Sequence, residues 1–155
     1  ARLWQAWGDA RPRIVVVEPT RAACLTATAR AGQPTAVAIA EETVMAGLSC
    51  GEVSLVAWEV LARAVTDFVT IDDEAVGAAM RLLAHGRAGG GRIVAGESAV
   101  PGLIALVAAA TDPGRRAALD LDGGSRVLLL GCEGATDPEI YRRMTADAPP
   151  ERSAR

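Results

Sequence analysis

The chain has 155 residues, 50% of them hydrophobic and 3% aromatic, with a net charge of −3 at neutral pH. That balance excludes a disordered polymer and predicts one domain whose core is built mainly from Ala, Val and Leu. The charge leaves no basic face for nucleic acid, and the longest apolar stretch, 100–110, contains Pro101 and falls well short of the ~20 residues that span a bilayer.

Residues 1–8 read as the tail of a helix (Leu3, Trp4, Trp7) closed by Gly8. Residues 14–17 are a β-branched run without alternation, as expected of a strand buried on both faces. Thr20 is placed to cap a helix over 21–31, stopped by Gly32 and Pro34. A weak strand is predicted at 36–40 and a short helix at 41–50. Ser54 caps the next helix, 54–65, in which Leu55, Trp58, Leu61 and Val65 recur at helical spacing. Residues 68–71 form a third strand. Asp72, Asp73 and Glu74 then put acid at the N-terminus of a helix running to Ala84, where the helix dipole favours it.

Gly86, Gly89, Gly90 and Gly91 mark a flexible turn before a fourth strand at 93–95. Residues 101–110 are apolar all round, so they predict a helix buried between the sheet and another element, with Pro101 in its first turn. A short helix at 113–119 precedes the run 127–130, which reads as a fifth buried strand. Asp137 caps a final helix over 138–146, and 147–155 read as a flexible tail beyond a domain of 1–146. Five alternations of strand and helix predict an α/β fold: three layers, a mostly parallel sheet with helices on both faces.

The chemistry-bearing residues are few. Every basic residue is Arg, and the chain contains no lysine. A phosphate-cradling loop of the Walker type is therefore ruled out, and a single histidine, His85, rules out two-His zinc motifs. His85 sits where a helix ends, which suits its charge. Three cysteines make no disulfide framework, and no signal peptide opens the chain, so a cytoplasmic location is expected. Cys24 reads as core. Glu18 and Glu97 each end a strand, where a carboxylate caps the next helix, pairs with an arginine or faces a ligand. Gly131-Cys132-Glu133-Gly134 is a polar pair between glycines at a strand end, the place where α/β proteins bind ligands.

Taken together, the stretches IVVVEPTRAACL (14–25), TVMAGLSCGE (43–52), AW (57–58), AMR-LA (79–84), RIVAGES (92–98) and EGATDPEIYRR (133–143) resemble diaminopropionate ammonia-lyase. The resemblance implies a tryptophan-synthase-β-like fold, of which this chain is the C-terminal part of the large domain. It implies pyridoxal 5′-phosphate as cofactor, a small amino acid as substrate, loss of the β-amino group of 2,3-diaminopropionate to give pyruvate and ammonia, and a homodimer. Cys132 matches the neutral partner of the pyridine nitrogen, and Glu97 is expected near the cofactor ring. The Schiff-base lysine and the glycine-rich phosphate loop belong to parts of the family's sequence not matched here. The chain thus contains no catalytic residue of its own, and the isolated polypeptide is expected to be inactive. Ala1 in place of Met, and the missing lysine, fit a piece of a larger protein.

Three departures bear on this reading, the first being that Thr or Ser is commoner in the family at the position of Cys132. Ala99-Val100-Pro101 follow Gly96-Glu97-Ser98 where the family has smaller residues, and Val53 replaces a usual proline. A non-catalytic α/β binding or assembly module derived from the same fold is the alternative.

Overall fold

The computed structural model describes residues 2–146; the expected tail over 147–155 lies outside them. At its centre is a pair of parallel strands, β1 (Val15–Pro19) and β2 (Asp67–Ile71), in the register Val15↔Asp67 to Pro19↔Ile71. Around them stand α1 (Arg2–Trp7), α2 (Cys24–Ala31), α3 (Leu55–Ala64), α4 (Val76–Ala84), α5 (Pro101–Thr111), α6 (Pro113–Ala118) and α7 (Pro138–Thr145).

The strand's alternation sorts the helices into layers. Val17, Val69 and Ile71 point into a core shared with Val76, Ala79 and Met80 of α4 and Ala105 of α5. Neighbouring residues in a strand point to opposite faces. Phe68 accordingly meets Trp58 of α3 on the other side, with ring centroids 6.1 Å apart. Glu18 lies on that second face, where its carboxylate accepts hydrogen bonds from the N–H groups of Leu25 (3.1 Å) and Thr26 (2.6 Å) at the start of α2. Helices α2 and α3 thus cover one face, and α4 and α5 the other. The α/β class and its helical layers stand as the sequence implies. The largest side chains fully buried are Met45 and Met80 rather than leucines, because an unbranched thioether fills the gaps between small residues.

Three predicted strands do not form ladders. Residues 36–40, 93–95 and 127–130 run without strand partners, so the expected five-fold alternation reduces to one parallel pair among the described residues. Local sequence can prepare a strand, but only a neighbouring strand completes its hydrogen bonds. The clearest case is 127–130, predicted to be buried and found at the surface, with Leu128 and Leu130 about three-quarters exposed (74% and 75%).

The predicted helix over 41–50 contracts to a 3₁₀ turn, Ala46–Leu48. Its N–H groups are taken by distant side chains: Val44 donates to Asp73 Oδ2 (3.0 Å) and Gly47 to Ser98 Oγ (3.0 Å). Asp73 therefore ties down the 41–45 loop, through Thr43 Oγ1 (2.5 Å) and Arg21 (3.1 Å), rather than serving α4 alone. Thr20 caps no helix. Its hydroxyl donates to the carbonyl of Ile71 (3.2 Å), a 3₁₀ turn over Thr20–Ala22 intervenes, and Cys24 becomes the buried first residue of α2.

Other local expectations hold. Ser54 accepts from the N–H of Ala57, and Asp137 from those of Glu139 and Ile140 (both 2.9 Å). Helix α5 forms as expected but is not buried between two layers: it buries Pro101, Ala105 and Ala109 and leaves Val107 half exposed, so only one side is covered. Gly86, Gly89, Gly90 and Gly91 all take positive φ, a conformation costly for other residues, which explains why this turn is written in glycine.

Candidate functional site

The two segments singled out at predicted strand ends come together. The N–H of Gly96 donates to the carbonyl of Glu133 (3.1 Å), and the N–H of Ser98 donates to the carboxylate of Glu133 (2.6 Å). Ser98 in turn receives the N–H of Gly47 on its hydroxyl. Three loops, near residues 47, 96–98 and 131–134, therefore meet at one place.

Glycine makes the approach possible. A Cβ on Gly96 would lie 2.4 Å from the carbonyl oxygen of Gly134 and 2.8 Å from Glu133 Oε2, and one on Gly131 would lie 3.0 Å from the carbonyl oxygen of Ala99. The glycines flanking Glu97 and Cys132 are thus interlocking surfaces rather than simple punctuation.

Glu97 sits between the two residues that Glu133 holds. It opens the 3₁₀ turn Glu97–Ala99 and is 7% exposed. No described residue offers its carboxylate a hydrogen bond or ion pair. Its stem is buried while its oxygens keep access to solvent, so the carboxylate is free to accept a hydrogen bond from outside the chain. Cys132, immediately before Glu133, is exposed and unbridged. Glu97 is thus an acceptor unbonded within the described chain, and Cys132 a free thiol at the surface.

The remaining candidates separate from this place. Glu18 is spent on the N-terminus of α2. His85 closes α4, its Nε2 3.0 Å from the carbonyl oxygen of Thr145. Cys24 opens α2, where burial and the nearby Glu18 carboxylate push its thiol up from the usual range. Among the described residues no cluster of His, Cys, Asp or Glu is placed to hold a metal ion, and no helix is long and apolar enough to cross a membrane.

Sequence reasoning missed Glu133 as the clamp and Ser98 as the joint between two loops. Both act through contacts remote in sequence, and only the glycines beside them hinted at close packing.

A cofactor ring fits this arrangement in part. The partnerless Glu97 and the exposed thiol of Cys132 suit a flat heteroaromatic ring with donor and acceptor positions. A covalent Schiff base to a lysine is not available from a chain that has none.

The fold is of the α/β class, and the family model described as "Pyridoxal-phosphate dependent enzyme" matches residues 1–133. The chain belongs to that family. Within it, the similarity runs to diaminopropionate ammonia-lyases. That of Escherichia coli (strain K12) is 33% identical over 133 residues, covering 84% of this chain and 33% of the relative. That of Salmonella typhimurium (strain LT2) is 36% identical over 138 residues, covering 84% of this chain and 34% of the relative. The solved E. coli enzyme in complex with an aminoacrylate–PLP azomethine reaction intermediate superposes with a TM-score of 0.78 at 31% identity, over 92% of this chain and 36% of that one. This chain thus spans about a third of the length of these relatives.

Proposed function

We propose that the chain forms part of a pyridoxal-phosphate-dependent ammonia-lyase that removes the β-amino group of 2,3-diaminopropionate, giving pyruvate and ammonia. The observation that supports this reading is Glu97, largely buried but with its carboxylate unbonded within the described chain, on a loop locked by Glu133 to the segment bearing Cys132. When bound, the cofactor supplies an electron-withdrawing ring on which the substrate's α-proton becomes acidic. This chain's own residues act at the edge of that ring. Cys132 Sγ is the neutral partner of the pyridine nitrogen; unlike a carboxylate, it does not hold a proton there, which favours loss of a β-substituent over a long-lived carbanion. Glu97 accepts a hydrogen bond from the bound ring or substrate. The Glu133–Ser98 clamp fixes the spacing between the two.

The covalent link to the cofactor needs a lysine, so the isolated chain is inactive, and the working form is a cytoplasmic homodimer that includes the lysine-bearing portion. The test is a chimera in which residues 13–145 replace the matching third of the E. coli enzyme. The chimera is expected to bind cofactor and deaminate 2,3-diaminopropionate. Cys132→Ala in it should shift the cofactor's absorbance band and its pH dependence as well as slow turnover. An unchanged spectrum and affinity would remove Cys132 from the ring.

A second reading rests on the same lysine-free composition: a non-catalytic assembly module on the family's fold. A chimera that folds and dimerises yet leaves no cofactor band would favour it.

A further inference from the structure

Asp73 is aimed away from the helix it introduces. An acid at the start of a helix ordinarily bonds that helix's own N–H groups. Asp73 opens the 3₁₀ turn Asp73–Ala75 ahead of α4, yet its carboxylate serves other segments. Oδ1 accepts from the Thr43 hydroxyl (2.5 Å), and Oδ2 from the Val44 N–H (3.0 Å) and Arg21 Nη1 (3.1 Å). The side chain is only 9% exposed, so water competes little for these bonds.

The bonds continue toward the candidate site. Thr43 is buried, and its hydroxyl, having donated to Asp73, accepts from the N–H of Met45 (3.2 Å). A hydroxyl has one proton to give, so a facing carboxylate fixes its direction and leaves a lone pair for Met45. Met45 is fully buried in the core, and its carbonyl accepts from Leu48 (2.8 Å) across the turn Ala46–Leu48. In the middle of that turn, Gly47 donates to Ser98 Oγ (3.0 Å). Ser98 follows Glu97 directly, and its own N–H is held by Glu133. One run of hydrogen bonds and a single tight turn therefore join Asp73 to the loop that carries Glu97.

We infer that Asp73 and Thr43 are positioning residues for the reaction. Acting through residues 43–48 and Ser98, they set where the Glu97 carboxylate stands against the bound ring or substrate. This role rests on the proposed function and adds to it two residues that act only through others.

The test uses the full-length chimera carrying residues 13–145. Asp73→Asn removes the charge and Thr43→Val the hydroxyl, each with little change in size. Both should lower kcat about ten-fold or more, as small misplacements of a reacting group do, with KM changed less and helical circular dichroism retained. Thr43→Ser keeps the hydroxyl and should keep the parent kcat. Asp72→Asn removes the same charge at the neighbouring position, which makes no side-chain cap bond, and should leave kcat unchanged. In a Ser98→Ala background, Asp73→Asn should slow turnover no further, because the link is already cut. Parent kcat in Thr43→Val, a Thr43→Ser as slow as Thr43→Val, equal slowing by Asp72→Asn, or additive losses with Ser98→Ala would each overturn the assignment. Amide exchange at Gly47 and Ser98, expected to be several-fold faster in Asp73→Asn, is read with or without cofactor. A chimera without a cofactor band counts against the proposed function, whereas unchanged exchange in Asp73→Asn counts against the positioning role, so the two fail separately.

Discussion

Replacing Gly96 by alanine tests the close approach on which the candidate site depends. Gly96 has φ −76° and ψ 178°, a conformation any residue adopts, so the substitution carries no backbone strain. Alanine there would even gain about 0.4–1 kcal/mol by restricting the unfolded chain. The opposing term is steric. The new Cβ would sit 2.4 Å from the Gly134 carbonyl oxygen, whereas ordinary contact begins at 3.4 Å, so the 131–134 segment must retreat by about 1 Å. Overpacking of this kind costs about 1–3 kcal/mol. The retreat also breaks the bonds from Gly96 and Ser98 to Glu133, each contributing about 1 kcal/mol or somewhat more where the carboxylate accepts. The net expectation is a loss of about 2–4 kcal/mol, a large share of the 5–15 kcal/mol typical of a domain. With a urea dependence of about 1–3 kcal/mol per molar, the unfolding midpoint should fall by roughly 1 M or more. Gly123→Ala is the control: no heavy atom lies within 4 Å of its Cβ and its φ is not positive, so its midpoint should hold or rise slightly. If both variants unfold at the same urea concentration as the parent, the interlocked-glycine argument is wrong.

Four further outcomes follow from the same contacts. Asp137→Ala removes the acceptor for two N–H groups at the start of α7 and should cost about 1 kcal/mol, read as faster amide exchange confined to 138–145. Asp73→Ala frees Thr43, Val44 and Arg21 together, so limited proteolysis should begin within the 41–45 loop; unchanged cleavage would show that other contacts hold it. Glu133→Gln keeps the shape of the clamp but weakens the bond from Ser98 by removing the charge, and should speed exchange at Ser98 several-fold without unfolding α5. Thiol labelling should also discriminate. With its thiol pKa raised by burial and by Glu18, Cys24 forms less thiolate at a given pH, so at pH 8 the exposed Cys50 and Cys132 should react first. Labelling of all three at one rate would contradict that placement.

What the sequence made legible was whatever depends on near neighbours. Ser54 and Asp137 were readable as caps because a cap bonds N–H groups two or three residues on, and α5 because the eleven residues from Pro101 to Thr111 carry no charge and keep their one proline to the first turn. The strand at 127–130 was misread because its apolar run speaks only of a wish for burial, while the ladder that grants it must come from elsewhere in the fold. The short helix expected at 41–50 failed for the converse reason: Asp73 and Ser98, distant in sequence, compete successfully for its backbone donors. At the site, Glu97 was legible as a strand-end acid, but Glu18 looked the same. Only the folded chain shows that one carboxylate is bonded to a helix end and the other to nothing in the described chain. Glu133 acts on a residue 35 positions away, a relation no local pattern encodes.

The seating of Glu18 has a consequence for where negative charge can go. The first N–H groups of a helix carry positive partial charge and form a natural cradle for a phosphate. At α2 that cradle is already filled by the protein's own carboxylate, bonded to Leu25 and Thr26. A helix end that would otherwise attract an anion has become a point that repels one. The fold thus leaves no free N–H cradle for a phosphate at the start of α2.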